Sequence, residues 1–409
     1  MITPDEALKL IFDLSPVLGE ESVELTQSVD QVLACDVRAQ VALPPFDNSA
    51  MDGFALRAAD LKDATPRNPV ELAVLETVRA GETGSTEVRQ GEAVRIMTGA
   101  PLPRGADSVV MVEMTQDGAP GTVRLTQATR GGSHVRARGE DVRKGSLLLE
   151  KGALLRPYDI ALLAAQGITE VGVIRRPRVT VLATGDELVD YREEPAPGRI
   201  RNSNGPALLA ALSRWGVPAE NLGIAPDEPA ALHAALASAL ERSDALVVTG
   251  GVSVGDFDCT RPVFAELGVR EIFWKVAIKP GKPLFFGVHE RAGAPTKLVF
   301  GLPGNPIAAL VCLEEFVRPA LERLQGFAPK HPSYHLSGAA LNDYPKPADR
   351  RQYLFCRTRQ TPGGYELDII RPQGSAMLAV ASRANALALA PAGLDRVRRG
   401  DTLAFRWLK

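Results

Sequence analysis

Carboxylates, lysines and hydroxyls recur in this sequence inside short stretches punctuated by glycine and proline. Thr184-Gly-Asp-Glu-Leu sets Asp186 and Glu187 side by side, behind Thr184 and Gly185. Thr249-Gly-Gly-Val-Ser-Val-Gly-Asp-Phe-Asp carries Gly250, Gly251, Ser253, Gly255, Asp256 and Asp258. Lys279-Pro-Gly-Lys-Pro places Lys279 and Lys282 around a turn that ends at Pro283, and Gly301-Leu-Pro-Gly-Asn-Pro carries Gly304 and Asn305. Glycines let backbone N–H groups approach phosphate oxygens, and a helix start beyond them favours an anion. The two lysines bring positive charge without a nucleophile. Asp186, Glu187, Asp256 and Asp258 offer the hard oxygens that Mg²⁺ prefers. One such loop could be an ordinary strand-to-helix turn. Four together point to a phosphate ester with a metal, or to an oxyanion, rather than to acyl transfer.

A second polar cluster stands apart from these. Pro44-Pro-Phe-Asp-Asn-Ser-Ala-Met-Asp-Gly-Phe packs Asp47, Asn48, Ser49 and Asp52 into one tight stretch, and Asp52-Gly53 is also a turn signal. Met97-Thr-Gly-Ala-Pro-Leu-Pro and Gly139-Glu-Asp add further polar turns.

Composition removes other chemistries. The chain has 409 residues, 45% apolar and 23% charged, enough for two to four soluble domains. Its 47 basic and 49 acidic residues leave a formal charge of −2, so no overall basic field recruits nucleic acid or an anionic membrane. The longest apolar run, 307–313, is far short of the ~20 residues a membrane helix needs. The first residues carry no secretory signal pattern. Cys35, Cys259, Cys312 and Cys356 are scattered, without C-x-x-C, which reads as thiols in a reducing cytoplasm rather than a disulfide or zinc framework. H-E-x-x-H, G-x-S-x-G, G-x-G-x-x-G at a strand end and the P-loop pattern are all missing.

These loops need elements to hold them. Thr3, Pro4 and Glu6 form a capping box for a first helix carrying Leu8, Ile11, Phe12 and Leu14. Residues 23–143 read as short strands and turns, β-rich from 72 to 149, and 157–166 as a helix ended by Gly167. From 178 on, strands (178–183, 221–225, 245–248, 272–278, 297–300) alternate with helices (206–215, 229–242 capped by Asp227 or Glu228, 261–267, 306–324). That alternation predicts βαβ units and a largely parallel sheet, with the four loops on its carboxyl edge. Short strands at 353–355, 367–370, 386–389 and 402–405 predict a small all-β end.

PPFDNSAMDGFA, MTGAPLP, GEDV, TGDELV, NSNGPAL, TGGVSVGDFD, KPGKPLFFG, GLPGNPIAAL and PQGSAMLAVASRANAL, in that order across nearly the whole chain, resemble the molybdopterin molybdenumtransferase family, the MoeA-type enzymes and the E-domains of their plant and animal homologues. The resemblance implies an α/β plus β multidomain chain. It has a discontinuous linking domain (1–26, 44–54, 142–176) and a β-rich insertion domain (27–43, 55–141). A doubly wound molybdopterin-binding α/β domain (177–328) and a C-terminal β-barrel-like domain (329–409) complete it. It implies insertion of molybdenum from molybdate into adenylylated molybdopterin, with release of AMP and dependence on Mg²⁺. Carried over residue by residue, the acids are Asp52, Asp141, Glu187, Asp227 and Asp258. The substrate-holding positions are Thr98, Lys275, Lys279, Lys282, Arg350 and Ser375, with Arg351 replacing Arg350 if that stretch is shifted by one. A cytoplasmic homodimer is implied, with 44–54 and 139–142 completing the partner's site. The implied further partners are a molybdopterin adenylyltransferase and molybdoenzyme acceptors, and neither nucleic acid nor membrane. The alternatives are an enzyme of the neighbouring adenylylation step and a non-catalytic scaffold of the same fold.

Overall fold

The computed structural model describes residues 1–251 and 259–408. The chain forms two compact units. One comprises Met1–Val23, Asp30–Ala34 and Gly172–Lys409; the other comprises Glu24–Val29 and Cys35–Val171.

The first unit is built on a six-stranded sheet in the order Ala219–Ala225, Val179–Thr184, Ala245–Thr249, Lys297–Leu302, Phe285–His289, Val269–Trp274. The first four strands are parallel and the last two antiparallel to their neighbours. Side chains of a strand alternate between faces, and both faces here are covered. Ala245 and Val247 pack in one core with Leu208 and Leu212 of the helix Asn204–Arg214 and with Val311 and Phe316. Leu246 and Val248 pack in another with Leu232 and Leu236 of Pro229–Arg242 and with Phe264 of Thr260–Glu266. The sheet is therefore doubly wound. Asp244 pins the start of its central strand, accepting two hydrogen bonds of 2.7 Å from Arg175 and one of 2.8 Å from the Arg178 N–H.

The capping box holds: Thr3 Oγ1 accepts from the Glu6 N–H at 3.2 Å, Glu6 accepts from the Thr3 N–H at 2.8 Å, and the helix runs Pro4–Leu14. Of Asp227 and Glu228, it is Glu228 that caps the helix Pro229–Arg242, through the N–H groups of Ala230 and Ala231. The expected strand 272–278 is not one strand. Lys275, at φ +76°, turns the chain out of the sheet after Trp274. Ile278–Lys279 then pairs parallel with Arg351–Gln352 of the C-terminal region. The strand Phe285–His289 escaped the sequence reading because it is buried throughout, which removes the alternation that marks a strand. The expected helix 306–324 is Pro306–Cys312 and Arg318–Leu324 joined through a π-helical turn, Leu313–Val317.

The C-terminal region closes into a five-stranded barrel. Arg351–Thr361 pairs with both Gly364–Ile369 and Ala386–Ala390, and Leu336–Ala340 and Thr402–Trp407 complete the ring. Closure leaves the barrel no open edge. Leu354, Cys356, Leu367, Ala388 and Phe405 fill it.

The second unit contains a sheet in the order Ser108–Met111, Gly53–Leu56, Glu92–Ile96, Val70–Val78, Thr122–Leu125, Thr115–Asp117, with apolar clusters around Leu56 and Leu72 and around Val94 and Ile96. Its helix Pro157–Ala165 ends before Gly167, which has φ +76°. Among the described residues no helix is long and apolar enough to cross a membrane.

The barrel is tied to the π-helical turn by a buried charge cluster. Arg406 pairs with Glu314, and with Glu315 at 3.0 Å, while the Tyr334 hydroxyl donates to Glu315 at 2.8 Å. Burial pushes the Glu315 carboxyl above its usual value, with the Arg406 charge pulling the other way. Arg406→Met should therefore cost about 3–5 kcal/mol in denaturant unfolding, because it strands a buried carboxylate. A carboxyl raised in the folded state favours folding while protonated. The deficit should grow as pH rises above 4.5, the ordinary carboxyl value.

Candidate active site

The carboxyl edge of the doubly wound sheet gathers the first set of polar loops. Thr184 ends its strand, and its hydroxyl donates to Asp227 Oδ1 at 2.5 Å. The Asp227 N–H donates to Asp186 Oδ1 at 3.1 Å. At Gly185, with φ +149°, an added Cβ would meet the Glu187 carboxylate at 2.5 Å, so this carboxylate folds back over its own loop. Gly250 lies against the same loop. Its φ is +91°, a Cβ there would meet the Thr184 carbonyl at 2.3 Å, and its N–H donates to the Leu302 carbonyl at 3.2 Å. Gly304 is next to it, its carbonyl accepting from Asn204 Nδ2 at 2.8 Å. Thus Thr184, Gly185, Asp186, Glu187, Asp227, Gly250, Gly251 and Gly304 share one edge. Ser253, Gly255, Asp256 and Asp258 lie outside the described residues.

A cavity of about 250 Å³ gathers the second set. Lys279, Lys282, Pro283, Asn305, Arg350 and Ser375 all line it. Three backbone ties place them. Ile278–Lys279 is a strand on the barrel. The Lys275 and Val276 N–H groups donate to the Leu284 and Lys282 carbonyls, both at 3.0 Å, closing the lysine loop at its base. The Ile307 N–H donates to the Ser375 carbonyl at 3.0 Å. The turn before Ser375 is fixed by Gln373, whose side chain accepts from the Phe355 N–H at 3.0 Å and donates to the Phe355 and Ile370 carbonyls at 2.8 Å. Gly281 has φ +111°, and a Cβ there would meet Cys312 Sγ at 2.6 Å. Burial pushes the Cys312 thiol well up, so this sulfur is a packing group beneath the loop and no nucleophile.

Arg350 and Arg351 lie in different surroundings. Arg350 lines the cavity, whereas Arg351 pairs with Asp5 at 2.9 Å and holds that carboxyl below its usual range. Lys275 does not line the cavity; its ammonium lies 3.6 Å from the centroid of the Trp274 ring. Gln352, Tyr353 and Gln373 also line the cavity and were not singled out from sequence. Gln373 stands two residues before Ser375 inside a motif already marked, which was the available signal.

Asp52, Thr98 and Asp141 lie in the second unit. Asp52 Oδ1 accepts from the Thr98 N–H at 2.7 Å and from its hydroxyl at 2.8 Å, and these bonds hold the Asp52 carboxyl below its usual value. The Asp141 N–H donates to the Leu43 carbonyl at 3.0 Å, and Asp47 Oδ1 accepts from the Arg138 N–H at 2.6 Å. The 43–52 stretch is thereby laced to 97–101 and to 134–142, with Asp52 and Asp141 both exposed.

For Mg²⁺ the donor chemistry is suitable but incomplete among the described residues. Asp186 and Glu187 are hard oxygen donors at the strand end, yet no group of three His, Cys, Asp or Glu residues there is arranged to hold a metal. Mg²⁺ needs only one or two carboxylates when substrate phosphates and waters supply the rest, so the described pair fits that mode.

The fold and site define a doubly wound α/β protein with a cation-lined cavity against an appended barrel. Residues 2–167 match the family described as MoeA N-terminal region (domain I and II). Residues 180–323 match the probable molybdopterin binding domain, and 337–406 the MoeA C-terminal region (domain IV). A molybdopterin molybdenumtransferase of Bacillus subtilis (strain 168) is 36% identical over 405 residues, 98% of this chain and 93% of the relative. One of Haemophilus influenzae is 34% identical over 410 residues, covering 99% and 98%. The solved molybdopterin biosynthesis MoeA protein from Pyrococcus horikoshii OT3 superposes with a TM-score of 0.81 at 29% identity, covering 100% of both chains. The chain belongs to the MoeA family.

Proposed function

We propose that this chain is a molybdopterin molybdenumtransferase, inserting molybdenum from molybdate into adenylylated molybdopterin with release of AMP, in molybdenum cofactor biosynthesis. The supporting observation is the cavity in which Lys279, Lys282, Arg350 and Ser375 converge from two domains. A tetrahedral dianion that gives up its water needs several charge-assisted hydrogen bonds, each worth ~1.5–3 kcal/mol. These four side chains can supply them. An adenylyltransferase-type α/β domain alone would lack Arg350 and Ser375, which the barrel region contributes. The dithiolene sulfurs of the substrate receive the metal, so no protein thiolate is required.

Catalysis in this reading is positioning plus electrostatics. Lys275, with the backbone N–H groups of Gly251 and Gly304, holds the phosphates. Asp227, fixed by Thr184, and Glu187 orient what approaches them. Asp186 and Glu187, with Asp256 and Asp258, would hold Mg²⁺, which when bound would offset the negative charge of the phosphates. The protein would work in the cytoplasm as a symmetric homodimer. Asp52, Thr98 and Asp141 would face the partner's cleft, which gives an exposed, hydrogen-bonded carboxylate cluster a reason to exist. The adenylyltransferase would supply the substrate and molybdoenzymes would take the product. The four-domain division belongs to the same reading.

Glu187→Gln should lower AMP release from adenylylated molybdopterin by at least ~10², about 2.7 kcal/mol, with little change in unfolding. Near-normal turnover would remove Glu187 from the site. Ser375→Ala should raise the molybdate concentration for half-maximal insertion roughly tenfold, since 1.4 kcal/mol is one decade, while affinity for the adenylylated pterin hardly moves. The opposite pattern would mean that the oxyanion binds elsewhere. Mixing Asp52→Asn with Glu187→Gln subunits should restore AMP release that neither variant supports alone. A mixture that stays inactive would argue that Asp52 only closes a turn.

A further inference from the structure

The indole of Trp274 carries two cations. Arg261 Cζ lies 3.8 Å, and Lys275 Nζ 3.6 Å, from the ring centroid. A cation approaching the ring edge would be kept beyond about 5 Å by van der Waals contact, so both stand over the π face. Their other partners differ. Arg261 is also paired with Glu271, at 2.7 Å. Among the described residues, no carboxylate pairs with Lys275.

The ring is half-buried against the core that contains Phe264 and Phe285. Trp274 ends the strand Val269–Trp274, opposite Phe285, which in turn stacks on Phe264 with centroids 5.1 Å apart. The Lys275 backbone is held on both sides. Its N–H donates to the Leu284 carbonyl at 3.0 Å, and its carbonyl accepts from the Ile2 N–H at 3.2 Å. Its φ of +76° is a conformation that side-chain-bearing residues rarely adopt. Both the backbone and the ring therefore localise this ammonium at the carboxyl edge of the sheet.

A π face differs from a carboxylate in what it does to an ammonium. It attracts the charge without neutralising it and leaves the N–H donors free for another acceptor. A carboxylate would quench the charge and would have to be displaced. An arriving phosphate, with a formal negative charge and two non-bridging acceptor oxygens, outcompetes an indole.

We infer that Trp274 is a positioning residue that holds the Lys275 ammonium in place for the phosphate groups of the adenylylated substrate, with Arg261, locked by Glu271, as a fixed second charge beside it. This rests on the proposed function, in which Lys275 binds phosphate.

The test is a cycle of Trp274→Leu, Trp274→Phe, Lys275→Ala and the Trp274→Leu/Lys275→Ala double variant, read by AMP release and by tryptophan emission. Trp274→Leu should raise KM for adenylylated molybdopterin about five- to tenfold while leaving the molybdate half-saturation and Tm in place. Trp274→Phe, which keeps a π face, should recover part of the loss. The double variant should match Lys275→Ala alone, because the ring acts only through the cation. Titrating the wild-type protein with AMP and Mg²⁺ should change its tryptophan emission, and Lys275→Ala should abolish that change. Independent, multiplying losses in the double variant would overturn the inference. So would an emission change that survives Lys275→Ala, or a wild-type emission that AMP leaves unaltered. A wild-type protein that releases no AMP at all would instead defeat the proposed function, and the emission titration would still decide the Trp274–Lys275 coupling.

Discussion

The cavity depends on two residues of strand. Ile278–Lys279 is hydrogen-bonded into the barrel, while the residues flanking it are hydrogen-bonded back to the α/β domain through Lys275, Val276, Lys282 and Leu284. Both sheets therefore hold one short loop. Moving the barrel would move Lys279 with it. The loop can be this short because Gly281 passes directly over the buried Cys312 sulfur, where no larger residue fits. A loop held at both ends loses little further freedom on binding, and that is the entropic basis of preorganised anion recognition.

The charges are also separated by function. Lys279 and Lys282 line the cavity with Arg350 and Ser375, while Lys275, on the same loop, is turned to Trp274 at the sheet edge. In the proposed reaction one loop would thus serve two anionic groups. The carboxylates Asp186, Glu187 and Asp227 lie on the sheet edge and are absent from the cavity lining. Opposite charges kept apart in this way leave the lysines free to bind an anion instead of neutralising the acids.

The second unit follows the same economy on a smaller scale. Thr98 spends both its N–H and its hydroxyl on one oxygen of Asp52, which keeps that carboxylate ionised and aimed while exposed.

Much of this was legible in the residues. The Thr3–Glu6 capping box, the helix before Gly167, the alternation that makes the doubly wound sheet and the glycine loops after its strands are local patterns, and local hydrogen bonds enforce them. The family resemblance rests on the same loops. Tertiary structure decided what alternation cannot. The stretch 272–278, apolar on both sides of Lys275, reads as one strand, and its competing partners, one sheet before Lys275 and another after it, divide it. Gln352, Tyr353 and Gln373 belong to the cavity because the barrel closes beside it. Arg350 and Arg351 are chemically identical neighbours. Adjacent residues at a strand point to opposite sides, so one reaches the cavity and the other reaches Asp5, and which is which depends on what each side of the strand packs against.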